Sequence, residues 1–107
     1  MTNRERMAEQ MRVNDICMNI YMDAMGQFHS GECVSDFERV DYCQAWTIET
    51  PDYVLLKSYN TIVAIYDKET NTVADVLRTV YGYTATSARH ISKFKNTYRG
   101  AMVYTAR

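Results

Sequence analysis

Between Val76 and Arg107 the chain has no aspartate or glutamate at all. Apolar runs are short, none near the roughly 20 residues of a membrane span, so a membrane role is not expected. The single proline is Pro51, and the four glycines, Gly26, Gly31, Gly82 and Gly100, fall where elements should end. That leaves no glycine-rich phosphate loop. Three cysteines, Cys17, Cys33 and Cys43, are too few and too loosely spaced for a disulfide framework. The polar start, Met-Thr-Asn-Arg-Glu-Arg, lacks an apolar export segment. Reduced thiols in the cytoplasm of a host cell are the expectation.

What remains is ordinary globular material: 47% hydrophobic and 23% charged over 107 residues, enough for one modest core. The net charge of -1 conceals a division. Residues 1–52 carry ten acidic and four basic side chains, a net of -6, whereas residues 53–107 carry three and eight, a net of +5. An acidic half and a basic half are therefore expected.

The firmest element is an N-terminal helix. Thr2 and Glu5 form a T-x-x-E capping box, and Gly26 is a natural stop. Met7, Met11, Asn14, Met18, Tyr21 and Met25 follow at spacings of four and three, one helical stripe with a single polar member. A second apolar stripe, Val13, Ile16, Cys17, Ile20 and Ala24, runs beside it. A helix apolar over so much of its surface is either sandwiched within its own chain or meets a second copy, in which case Asn14 would set register. Cys17 reads as a small core residue.

A second box at Ser35-Asp36-Phe37-Glu38 predicts a short helix, with Phe37, Val40 and Tyr42 inward. Ala45–Glu49 reads as a strand. The period then changes to two over 53–59 and 61–67, with a tight turn near Asn60. Ile62, Ala64 and Tyr66 should share one side of the second of these strands, and Thr61, Val63 and Ile65 the other. Both sides are largely apolar, as in a central strand covered twice. Residues 72–77 predict a further strand or a helical turn. A helix over about 87–98 follows, capped by Thr84 or Thr86, with Ile91, Phe94 and Tyr98 inward. Ala101–Thr105 alternates like an edge strand. The sum is one α+β domain over 1–107: an N-terminal amphipathic helix, a short second helix, an antiparallel sheet of three to five strands, and a C-terminal helix packed on it.

Two segments resemble a small family of uncharacterised proteins of phages, plasmids and other mobile elements of Gram-positive bacteria. Leu56-Lys57-Ser58-Tyr59-Asn60-Thr61-Ile62-Val63-Ala64 is similar to that family's Ser-Tyr-x-Thr-x-Val-Ala hairpin. Tyr83-Thr84-Ala85-Thr86-Ser87-Ala88-Arg89-His90-Ile91-Ser92-Lys93-Phe94 is similar to its Thr-Thr-x-x-His-Ile-x-x-Phe helix start, with Ser87 where a second Thr is usual. The resemblance covers about half the chain and implies a mobile-element setting without an agreed activity.

Catalysis is not expected. His90 sits one turn after a capping threonine, a structural place, and no local partner makes a nucleophile of Cys33 or Cys43. His29, Cys33, Cys43 and His90 lack metal-ligand spacing, so no metal and no cofactor is expected. Two binding surfaces compete. Glu32, Asp36, Glu38, Asp41, Glu49 and Asp52 form an acidic set suited to the basic groove of a host protein, in its most concrete form a CRISPR or other defence nuclease that an anti-CRISPR-like inhibitor would block. Tyr81, Tyr83, Arg89, Lys93, Lys95 and Arg99 form a basic, aromatic set suited to nucleic acid. The protein-binding role is preferred and nucleic-acid binding is the alternative.

Overall fold

The N-terminal helix α1 runs over Asn3–His29 in the computed structural model, which describes residues 1–107. Thr2 caps it, its Oγ1 accepting from the Glu5 N–H as the capping box requires. Gly26 does not stop it: the helix continues one turn, and Ser30 closes it by donating its N–H to the Gly26 carbonyl. Six strands then form one sheet in sequence order: β1 (Glu38–Arg39), β2 (Ala45–Glu49), β3 (Tyr53–Ser58), β4 (Thr61–Asp67), β5 (Thr72–Asp75) and β6 (Met102–Thr105). A one-turn helix α2 (Leu77–Val80) and the C-terminal helix α3 (Ala85–Thr97) carry the chain from β5 to β6.

The architecture is α+β with one strand more than expected. The first four pairings are antiparallel, but β6 lies parallel to β5. A parallel neighbour needs a crossover, and α2 with α3 supplies it. The short second helix falls at Leu77–Val80, whereas the Ser35 box opens no helix. There the Ser35 hydroxyl accepts from the Glu49 N–H, and Val34 donates to the Glu49 carbonyl. Pairing with β2 takes the groups a helix would have used. Accordingly Phe37 and Tyr42 are exposed rather than inward, while Val40 packs against the core.

The sheet is covered on both faces. Cys17 and Ala24 of α1 join Ile48, Tyr53, Leu55, Ile62, Ile65, Ala74, Val76 and Ala106 on one face. On the other, Ile91 and Phe94 of α3 and Leu77 of α2 join Ala45, Leu56, Val63, Ala64 and Val73. Leu55, Leu56 and Ile65 are fully buried, each contributing about 1.5–3 kcal/mol by transfer from water. Strict alternation fails in β4. The register slips between Leu56 and Lys57, which face Ala64 and Ile62, leaving Val63 as an extra residue. This bulge puts Val63 beside Ala64 under α3, and Ile62 beside Ile65 under α1. No helix is long and apolar enough to cross a membrane.

The methionine stripe divides along its length. Met7 and Met11 are exposed, while Met18, Tyr21 and Met25 pack on the core. Asn14 is occupied within its own chain: its Oδ1 accepts from the Arg107 N–H and its Nδ2 donates to the Arg107 carbonyl, both at 2.9 Å. Gln10 Nε2 adds a bond to the Thr105 carbonyl at 3.0 Å. The helix thus ties down the end of β6 by side-chain amides. Cys17, beside Tyr104, is fully buried, and burial, with the nearby Asp75 charge, pushes its thiol up to about 11.

Candidate functional site

The tight turn between β3 and β4 and the first turns of α3 meet at one place. Thr84 caps α3 by accepting from the Ser87 N–H at 3.1 Å, which directs Ser87 and His90 toward the sheet. Ser58, at the end of β3, lies between them. Its Oγ is 2.8 Å from Ser87 Oγ and 2.8 Å from His90 Nδ1. All three side chains are buried, Ser87 completely, with Ser58 1% and His90 4% exposed.

Counting hydrogens assigns the direction of these bonds. If Nδ1 carried the proton, His90 would donate to Ser58, Ser58 to Ser87, and the Ser87 hydroxyl would have no acceptor. An orphaned buried hydroxyl costs about 1–3 kcal/mol. In the opposite sense Ser87 donates to Ser58 and Ser58 donates to Nδ1, and every donor is used. The proton then sits on Nε2. That nitrogen has no partner within the chain, yet no buried side-chain nitrogen or oxygen is left unsatisfied, so Nε2 reaches solvent. Burial first, and then the Lys93 and Arg89 charges, hold the His90 pKa below its ordinary value. The ring is a neutral N–H donor at neutral pH.

It opens on a cavity of about 300 Å³ lined by Cys43, Gln44, Tyr59, Thr86, Arg89, His90 and Lys93. No carboxylate lines it. Tyr59 stands over the imidazole, ring centroids 5.9 Å apart. Its backbone is left-handed, with φ of 54°. Asp41 and Asn71 share that region, but their side chains tolerate it; a tyrosine does not, at a cost of about 1–2 kcal/mol. A glycine would sit there without strain.

Of the basic, aromatic set, only Arg89 and Lys93 share this cavity. Lys93 Nζ is 3.5 Å from Asp41 Oδ2, both half-exposed or more, a pair worth little in water. Lys95 lies on the other flank of α3, 3.2 Å from Asp75 Oδ2. It lines a second cavity of about 220 Å³ with Tyr83, Arg78 and Arg107. The Arg78 guanidinium sits 4.8 Å from the Tyr83 ring centre. Tyr81 is exposed, and Arg99, past the end of α3, donates to Asn96 Oδ1.

The acidic set follows the β1–β2 margin without converging. Glu49 pairs with Lys68, and Asp52 accepts from Gln27 Nε2 at 2.6 Å. Glu32 accepts from the Ser30 hydroxyl, and Asp41 faces Lys93. Asp36 and Glu38 are exposed and without an internal partner. Next to them lies a feature that sequence reasoning missed. Lys57 Nζ stands 4.5 Å from the Phe37 ring and 4.9 Å from Trp46, with Arg39 5.8 Å from Trp46 on the neighbouring strand. Also missed were Ser58, Tyr59 and Ser87. The one available signal was a tyrosine placed where a tight turn favours glycine or asparagine. His29, Cys33, Cys43 and His90 do not assemble: no group of three or more His, Cys, Asp or Glu side chains is placed to hold a metal, and the thiols are all free.

Searches of curated proteins and of solved structures gave no match for this chain. A protein-family model matches residues 30–106, a stretch that holds the whole sheet, both shorter helices and every residue of the His90 cavity, and leaves α1 outside. On that match the chain belongs to a family of unknown function, DUF8033.

Proposed function

We propose that this protein is a non-enzymatic binding module for nucleic acid, with α3 as the gripping element. One observation carries the reading: Arg89 and Lys93 project beside a cavity free of carboxylates, on a segment without an acidic residue after Asp75. Phosphodiester oxygens are the common ligand for such a surface, and the exposed rings of Tyr59, Tyr81 and Tyr83 offer faces for base stacking. Fluorescence anisotropy of labelled single- and double-stranded DNA and RNA at several salt concentrations tests it. Replacing Arg89 and Lys93 by alanine should weaken binding and flatten the plot of log affinity against log salt by about 1.5. Absence of binding at low salt overturns the reading.

A second reading has its own observation. Asp36 and Glu38 point into solvent before and within the exposed two-residue edge strand β1. Such a margin suits an accessory protein of a phage or other mobile element that occupies the basic groove of a host defence nuclease. Retention of a nuclease by the wild type, and its loss on Asp36→Lys/Glu38→Lys, supports this role; retention unaffected by the charge reversal ends it.

A further inference from the structure

We infer that the cavity beside His90 is a phosphate subsite, in which the Nε2–H of His90 and the cations of Arg89 and Lys93 hold the oxygens of a phosphate ester. This deepens the nucleic-acid reading and rests on it for the source of the phosphate. Two features converge on it. The first is a histidine nine-tenths buried and more, its orientation set from behind by Ser58 and Ser87, with its free nitrogen directed outward.

The second feature is the lining. Two cations, a neutral N–H donor, the Gln44 amide and the Thr86 hydroxyl surround about 300 Å³ with no carboxylate among them. That volume stands at the lower end of small-ligand cavities, roughly 300–1,000 Å³, room for a phosphate together with the group that carries it. Donors of both kinds, charged and neutral, match a tetrahedral dianion or a phosphodiester better than a carboxylate's two oxygens. Tyr59, whose left-handed backbone is the one the two-residue turn between β3 and β4 demands, adds an aromatic ring to that lining.

Long-range ¹H–¹⁵N spectra of the imidazoles test the inference directly. The free protein should show His90 with its proton on Nε2. Titration with inorganic phosphate, with a short 5′-phosphorylated oligonucleotide and with the same oligonucleotide bearing a 5′-hydroxyl should shift the Nε2 signal saturably. The strongest of the three names the source: a terminal phosphate, an internal phosphodiester or free phosphate. Arg89→Ala, at an exposed position, should keep the fold and weaken that shift at least tenfold, and Tyr59→Gly should weaken it while leaving the protein folded. A proton on Nδ1, or no saturable shift with any of the three, overturns the subsite. So does a shift unchanged in Arg89→Ala/Lys93→Ala. Oligonucleotide binding by anisotropy without a response at His90 overturns the subsite and leaves the nucleic-acid reading standing. Saturation by inorganic phosphate without oligonucleotide binding does the reverse.

Discussion

Ser58→Ala should be the most damaging one-atom deletion in this protein. The Ser58 hydroxyl is the middle member of a buried chain, 2.8 Å from Ser87 Oγ on one side and 2.8 Å from His90 Nδ1 on the other. Removing it leaves the Ser87 hydroxyl without an acceptor and Nδ1 without a donor. Each buried orphan costs about 1–3 kcal/mol, so the pair costs about 3 kcal/mol once partial relaxation is allowed. Ser87→Ala removes only a donor to an oxygen that keeps its bond to His90, and should cost about 1 kcal/mol. The double variant should then be more stable than Ser58→Ala alone by about 1 kcal/mol, because it removes the orphaned Ser87 hydroxyl as well. In a domain of this size 1 kcal/mol moves Tm by about 5 °C, so the Ser58→Ala loss is about 15 °C. Urea and thermal denaturation of the four proteins, followed by far-UV circular dichroism and Trp46 fluorescence, measures all three differences. A Ser58→Ala protein within about 1 kcal/mol of wild type refutes the buried chain. A Ser87→Ala protein as stable as wild type would place the proton on Nδ1, because the Ser87 hydroxyl would then be the orphan already.

His90 also links stability to pH. Its folded pKa is depressed, by burial first and then by Lys93 and Arg89, while Asp41 faces the Lys93 ammonium and the rest of the lining, Tyr59, Cys43, Gln44 and Thr86, holds no carboxylate. Below the unfolded value of about 6.5 the unfolded chain takes up a proton that the folded one refuses. Stability from this group is therefore complete above about pH 7 and is lost as pH falls through 6.5, levelling below the folded pKa. Chemical denaturation between about pH 7.5 and 5.5 should show that slope, and His90→Gln should flatten it; an unchanged slope contradicts the assignment. Asn14→Ala removes both bonds to the Arg107 backbone and should cost about 1–2 kcal/mol, with faster amide exchange confined to β6; unaltered exchange there would contradict the tether. A homodimer through the methionine stripe would use the exposed Met7 and Met11, since Met18 packs on the core. Sedimentation of Met11→Glu should then show one chain where the wild type shows two, and a wild type that sediments as one chain ends the homodimer.

The individual elements were largely written in local chemistry. The Thr2 box, the Thr84 cap, the two-residue period of β3 and β4, and the apolar spacing of Ile91 and Phe94 each act within a few residues, so they survive translation into structure. The Ser35 box obeyed the same local rule and failed, because β2 offered its hydroxyl a partner 14 residues away. The β4 bulge likewise could not be read from alternation. It answers to the register of β3, and a single extra residue reverses which side chains share a face.

The candidate site shows the same division. Sequence by itself placed positive charge on the C-terminal helix and named Arg89 and Lys93, since charge and helical spacing are local properties, but gave His90 only a structural place. Tertiary structure alone decided that Lys95 and Tyr83 share a second cavity and that Asn14 holds its own C-terminal strand. It also set a hairpin serine 32 residues away behind His90. A hydrogen-bond direction depends on which donors and acceptors are buried together. That is a property of packed layers, and no spacing along the chain encodes it.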